Sequence, residues 1–319
     1  MKRVLVAIGV LFATTAFAQP QPYPNRSIRL VSPYAPGGGT DYFARLIGQK
    51  MSETLGVSVV TDNRPGAGGV IGADIVAKSP ADGYTLLVSS PSPLVVSPHL
   101  LKTMPYDPQK DLTPVIWIAA VPAMMAVHPS VPAKSVREFI ALAKARPGEL
   151  TYASSGNGGT GHLAGALFDL QAGTKMIHVP YKGTGPATTA LLAGEVTLTF
   201  SETIALMPHV KSGRLRALAI TTLKRSALMP ELPTVAETLP GYTAGPWYCL
   251  LAPAKTPAEI LSKLNATVGS ILRAPEVQAN LAQSGAEPKG GTPAELVQQI
   301  RDESERWARV IREAGIKGE

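Results

Sequence analysis

A single cysteine, Cys249, is present, so the chain cannot form an internal disulfide. Cys249 lies in the apolar stretch Trp247 to Ala252 and reads as a small buried apolar residue. Aromatic residues are scarce at 6%, and charged residues make up only 17% against 45% hydrophobic, which is the balance of a folded globular chain and not of a disordered one. Beyond the N-terminus no apolar run is long enough to span a bilayer. The basic residues are scattered and form no dense patch, which argues against nucleic acid as a partner. The five histidines are far apart and none forms a His-x3-His pair, so no metal site is expected. There is no phosphate loop of the Gly-x4-Gly-Lys-Ser/Thr type. There is no Gly-x-Ser-x-Gly elbow either, because Ala153 occupies the first glycine position before Ser155. No cofactor is expected.

The first residues carry an export pattern. Lys2 and Arg3 precede an apolar run from Val4 to Ala16, and Ala16-Phe17-Ala18 gives the small-x-small sequence read by signal peptidase. Cleavage after Ala18 would leave Gln19 as the first mature residue and a periplasmic product. A buried N-terminal strand or helix is the competing reading; the basic start and the Ala-x-Ala end together favour export. No cysteine sits at the cleavage point, so a lipid anchor is not indicated. Removing Lys2 and Arg3 lowers the formal charge from +7 to +5, a mild excess suited to anionic ligands. About 300 mature residues suggest two domains.

Strand-like and helix-like segments alternate. Strands are expected at 28–34, 57–61 and 85–90, with helices at 41–55 and 69–78 between them. The middle repeats the scheme, with helices at 135–145, 161–171 and 187–193 and strands at 150–153, 176–179, 196–200 and 215–221. Ser135-x-x-Glu138, Thr256-Pro257-x-Glu259 and Thr292-Pro293-x-Glu295 read as capping boxes. The last helix presents Leu296, Val297, Ile300, Trp307, Val310 and Ile311 on one face. Such alternation implies parallel βαβ units and an α/β fold. Two apolar stretches without helical periodicity, 115–127 and 247–252, read as extended connectors between two lobes. Residues 19–120 and 245–319 then form lobe one, and 121–244 form lobe two, after a signal peptide of 1–18.

The chemistry concentrates in four glycine-rich turns between a strand and a helix: Pro36 to Asp41, Pro65 to Gly69, Ser154 to Gly161, and Lys182 to Pro186. Glycine allows close backbone approach, and the helix that follows offers free N–H groups and a positive dipole end. One such run alone is an ordinary tight turn; four of them in two blocks point to an anion site. The first and third turns are the best pair, one from each lobe, with the second as support. The third contains Gly156-x-Gly158-x-x-Gly161, a partial dinucleotide fingerprint. The strand after it runs into Pro180-Tyr181-Lys182 without the acid that would hold a ribose. His162 stands in the first turn after that run, where it could reach the cleft or cap and pack. His128 and His178 read as structural, and Asp41 as a favourable first-turn charge.

These stretches together resemble the Bug-type extracytoplasmic solute receptors of tripartite tricarboxylate transporters. The residues that carry the likeness are Tyr34-x-Pro36-Gly37-Gly38-Gly39-Thr40-Asp41 and Asn63-Arg64-Pro65-Gly66-Ala67-Gly68-Gly69-x-Ile71-Gly72. With them go Pro80-x-Asp82-Gly83-Tyr84-Thr85-Leu86-Leu87, Ser154-Ser155-Gly156-x-Gly158 with His162-Leu163, Val179-Pro180-Tyr181-Lys182-Gly183 and Leu232-Pro233-Thr234-Val235-x-Glu237. The resemblance implies a two-lobed, type II-like periplasmic binding protein fold with parallel-rich sheets and connector strands crossing at the hinge. It implies a small carboxylated ligand held by the first and third turns, and integral membrane transporter subunits as partners. Thr197, Cys249 and Lys255 depart from the family's usual Asp, Gly and Gly.

The expected ligand-binding set is Tyr34, Gly37, Gly38, Gly39, Thr40, Ser90, Ser154, Ser155, Asn157, Gly158, Thr160, His162, Lys182 and Ser201, with no catalytic residue. A monomer is the expected state. Citrate-like acids, dicarboxylates, aromatic acids, amino acids and nicotinate-like acids all remain open as ligands. Two rival functions stand beside this one: an exported hydrolase using His162 with Ser154 or Ser155, and a ligand sensor that docks a membrane kinase.

Overall fold

The computed structural model describes residues 22–226, 229–283, 285–313 and 315–316; the expected signal segment lies outside the described residues. The chain opens with β1 (Ile28–Ser32), α1 (Gly39–Leu55), β2 (Val59–Asn63), α2 (Val70–Ala77) and β3 (Thr85–Ser89). A π turn (Ser92–Val96) and the short α3 (Ser97–Leu100) lead to β4 (Leu112–Ala120). After the dipeptide Val121-Pro122 the chain enters a second sheet as β5 (Ala123–Val127). There it builds α4 (Val136–Ala145), β6 (Thr151–Ser154), α5 (Thr160–Ala172), β7 (Ile177–Pro180), α6 (Thr184–Leu192), β8 (Leu198–Glu202), α7 (Thr203–Lys211) and β9 (Arg216–Ile220). It returns to the first sheet through β10 (Trp247–Pro253) and closes with α8 (Ala258–Arg273), α9 (Pro275–Gln283), β11 (Glu287–Gly290) and α10 (Pro293–Glu313).

The first sheet has the order β11-β4-β10-β3-β1-β2 and the second β7-β6-β8-β5-β9. Both are mixed. The βαβ units give parallel pairs, β1 with β2 and β3, and β6 with β7 and β8. The connector strands run the other way: β10 is antiparallel to β3 and β4, and β5 to β8 and β9. The two apolar connector stretches are therefore strands of the sheets themselves. Burial on both faces, complete along β5 and β10, is why they lack alternation.

The strand order reverses around β1 in the first sheet and around β6 in the second. The crevice beyond the carboxyl end of such a strand is where open α/β sheets bind ligands. The first and third glycine turns follow β1 and β6 directly.

Local signals held unevenly. Ser135 caps α4, its Oγ accepting the Glu138 N–H at 3.2 Å, and Thr292 and Glu295 bond reciprocally at the start of α10. Thr256 does not cap α8: its hydroxyl donates to the Pro253 carbonyl at 2.7 Å, and Pro257 stands at the cap instead. On α10 the residues Leu296, Ile300, Trp307 and Ile311 are buried, whereas Val297 is exposed. Helix α7 was not expected, because Pro208 inside it masks the helical pattern. Lys255 adopts φ +68°, a left-handed conformation that costs a side-chain-bearing residue about 1 kcal/mol. Lys255→Gly should relieve this and stabilise the protein by roughly 0.5–1 kcal/mol. A urea midpoint that does not rise would contradict it.

Candidate ligand-binding cleft

Three helices point their N-termini at one cavity between the sheets. Helix α1 reaches it through Gly38 and Thr40, α5 through Thr160 and Gly161, and α6 through Thr184. Unpaired N–H groups and dipole ends converging from three directions make a site for negative charge. Tyr34, Ser90, Ser155, Phe200, Ser201, Glu202, Pro246 and Tyr248 complete its walls. Thr40, Ser155, Thr160 and Thr184 line it with hydroxyls that form no hydrogen bond to another described residue.

The wall is held by buried polar contacts. The Tyr34 hydroxyl donates to the Gly68 carbonyl at 2.8 Å and accepts from Ser90 Oγ at 3.1 Å. The second glycine turn thus supports Tyr34 from behind. Burial pushes the Tyr34 phenol up to about 12, against the lowering effect of Ser90 and Ser92. Asp41 braces the first turn, accepting from the Gly37 N–H, Arg45 Nε and Asn63 Nδ2 at 3.0–3.1 Å. Burial raises the Asp41 pKa, but those hydrogen bonds outweigh it and hold the carboxyl below its ordinary value. Between lobes, Glu202 Oε1 accepts the Gly39 N–H at 2.8 Å, and the Ala35 N–H donates to the Lys182 carbonyl at 3.2 Å.

Of the residues expected at the ligand, Tyr34, Gly38, Thr40, Ser90, Ser155, Thr160 and Ser201 line the cavity. Gly39 meets it through the N–H given to Glu202. The other six lie elsewhere. The Gly37 N–H is taken by Asp41, and the Gly158 N–H by His162 Nδ1 at 3.1 Å. Asn157 and Lys182 line an adjoining groove with Gly68 and Tyr181. Ser154 is buried at the end of β6, where its Oγ donates to the Gly156 carbonyl at 3.0 Å and contacts His178 Nε2 at 2.6 Å. His162 stacks on His178, with ring centroids 3.9 Å apart and planes 3° from parallel. Ser154 is thus paired with His178, not with His162, and that pair stands outside the cavity walls.

Sequence reasoning missed Thr184, Glu202 and Tyr248. The fourth glycine turn is legible in the sequence, but its helix begins at Thr184, earlier than the apolar pattern suggests. Glu202 and Tyr248 come from the ends of strands and carry no local motif.

The stacked histidines make the third turn sensitive to acid. Burial lowers His162 to about 4; burial and then the charge of His162 lower His178 to about 3. In the unfolded chain both titrate near 6.5. Between pH 6.5 and about 4 the unfolded state binds more protons than the fold, so stability falls as pH falls through that window. One such histidine contributes at most about 1.4 kcal/mol per pH unit. Urea unfolding at pH 7 and pH 5 should show a smaller loss for His162→Gln, which keeps an acceptor for Gly158, than for the wild type. Equal losses would contradict this.

Residues 43–316 match the tripartite tricarboxylate transporter family receptor. The chain is 42% identical to the protein BugT of Bordetella pertussis over 322 residues, covering 99% of each chain. It is similar to an R. palustris protein solved with adipate, with 42% identity and a TM-score of 0.90 over 93% of this chain and 100% of that one. It is also similar to the periplasmic binding protein BugD, with 32% identity and a TM-score of 0.89 over 93% of this chain and 100% of that one. The family match covers most of the chain, and these relatives align with it from end to end. The chain belongs to the tripartite tricarboxylate transporter receptor family.

Proposed function

We propose that the protein is a periplasmic receptor that captures a small carboxylate between its lobes and delivers it to the membrane subunits of a tripartite transporter. The observation that carries this is the convergence of α1, α5 and α6 on one hydroxyl-lined cavity between the sheets. The adipate complex of a 42%-identical protein supports the ligand class, and the periplasmic relative BugD supports the location. Residues 19–120 with 245–319 form one lobe and 121–244 the other, and export removes 1–18. The ligand carboxylate is held by Gly38, Thr40, Ser155 and Thr160, with Thr184 added and with Tyr34, Ser90 and Ser201 around it. Charge-assisted hydrogen bonds contribute roughly 1.5–3 kcal/mol each, so three or four supply micromolar affinity before ordering costs. Contacts to both lobes favour the closed form. The ligand leaves unchanged, and the receptor works as a monomer.

A thermal-shift screen of the mature protein against a carboxylate panel tests this. At about 100 times its dissociation constant a ligand adds about 2.7 kcal/mol, a rise on the order of 5 °C. No shift from any carboxylate would sink the reading. Steady conversion of a bound ligand, followed by mass spectrometry, would replace it with an enzyme.

A further inference from the structure

Among the described residues, Glu202 is the one charged side chain in the cavity wall, and it is an acid. It is only 7% exposed, at the carboxyl end of β8. Oε1 accepts the Gly39 N–H across the cleft at 2.8 Å, and Oε2 accepts from Ser201 Oγ at 3.1 Å. Tyr248, fully buried, lines the cavity with it, and its phenol is raised by burial first and by the charge of Glu202 next. Among the described residues no lysine, arginine or histidine lines the cavity to balance this acid.

A ligand that offered only carboxylates would bring negative charge into a low-dielectric space that already holds one and contains no cation. A buried carboxylate is stabilised by a cation or by several donors. The wall divides accordingly. Helix N-termini and the hydroxyls of Thr40, Ser155, Thr160 and Thr184 suit a carboxylate, while Glu202 suits a donor of positive charge.

We propose that Glu202 selects a ligand that carries a cationic amine together with its carboxylate, the ammonium bonding Glu202 and the carboxylate bonding the glycine-turn donors. This rests on the carboxylate-receptor reading and narrows its substrate class to amino carboxylates.

The test is calorimetry of the full mature protein with length-matched pairs. These are adipate against 6-aminohexanoate, glutarate against 5-aminopentanoate, and succinate against 4-aminobutanoate, with aspartate, glutamate and 2-aminoadipate added. The wild type should bind amine-bearing members about 10- to 100-fold more tightly than the amine-free acid of equal length. Glu202→Gln keeps the size and an acceptor for Gly39 but removes the charge, and should cut that preference to within about threefold. A wild type that binds amine-free acids as well or better overturns the inference while leaving the carboxylate reading intact. So does an amine preference that survives Glu202→Gln. Binding of no member overturns the carboxylate reading, and this inference with it. The wild-type comparison decides the matter even if Glu202→Gln folds poorly.

Discussion

Gly38→Val is expected to abolish ligand-induced stabilisation while the protein still unfolds cooperatively. Gly38 has extended backbone, φ −102° and ψ 177°, that valine adopts without strain. A Cβ there would stand 3.1 Å from Thr184 Cβ and 3.2 Å from its Oγ1, on the opposite side of the cleft. The two added methyl groups reach further, so they wedge the lobes apart without entering either core. Ligand that stabilises the wild type by about 2.7 kcal/mol should give the variant little or none. Gly158→Val is the contrast. That residue has φ +69°, and its Cβ would meet Leu100 Cδ1 at 3.0 Å, inside the fold. Left-handed strain and overpacking together cost roughly 2–4 kcal/mol, read as a lower urea midpoint. A full ligand shift in folded Gly38→Val would place the site elsewhere.

Phe168→Ala should be the most destabilising of the changes considered. Phe168 is fully buried on α5 and packs against Phe139, Phe200 and Tyr242, with ring centroids 6.1, 5.5 and 6.3 Å away. Truncating a core phenylalanine costs about 3–5 kcal/mol, from lost burial and from the cavity left behind. Of a typical stability of about 5–15 kcal/mol this is a large share. Phe200, one of its neighbours, also lines the ligand cavity, so the loss is felt where α5 presents Thr160. Denaturant unfolding should show a lower midpoint with the slope kept. A loss below about 1 kcal/mol would mean that the cluster collapses around the missing ring.

What could be read from the sequence was local. Glycine turns one and three, and the helices they open, are contiguous patterns, and both proved to border the cavity. Which N–H groups a turn leaves free is not legible in its sequence: Gly37 gives its own to Asp41 and Gly158 to His162. His162 could be read as facing the cleft or as packing; in the structure it stacks on His178, a contact no local pattern foretells. Glu202 could not be read at all. Its partner Gly39 is 163 residues away, and only the joining of two sheets makes them neighbours. The connectors were recognised by their lack of periodicity, but their strand directions depend on pairing between distant segments.

Strand β10 sits between β3 and β4 in the first sheet, where Cys249 pairs with Ser89 and with Trp117. A ribosome or a translocation channel delivers the chain from its N-terminus, so β1 to β4 emerge without the strand that joins β3 to β4. The second sheet has all its strands once Ile220 is out. The later-made half of the molecule therefore closes its sheet before the earlier-made half can. The N-terminal strands remain a sheet with a gap between β3 and β4 until residue 253 has followed, and lack the edge strand β11 until residue 290; contacts at such sequence separation form slowly. Until β10 arrives, the facing edges of β3 and β4 stay unpaired and open to other strands.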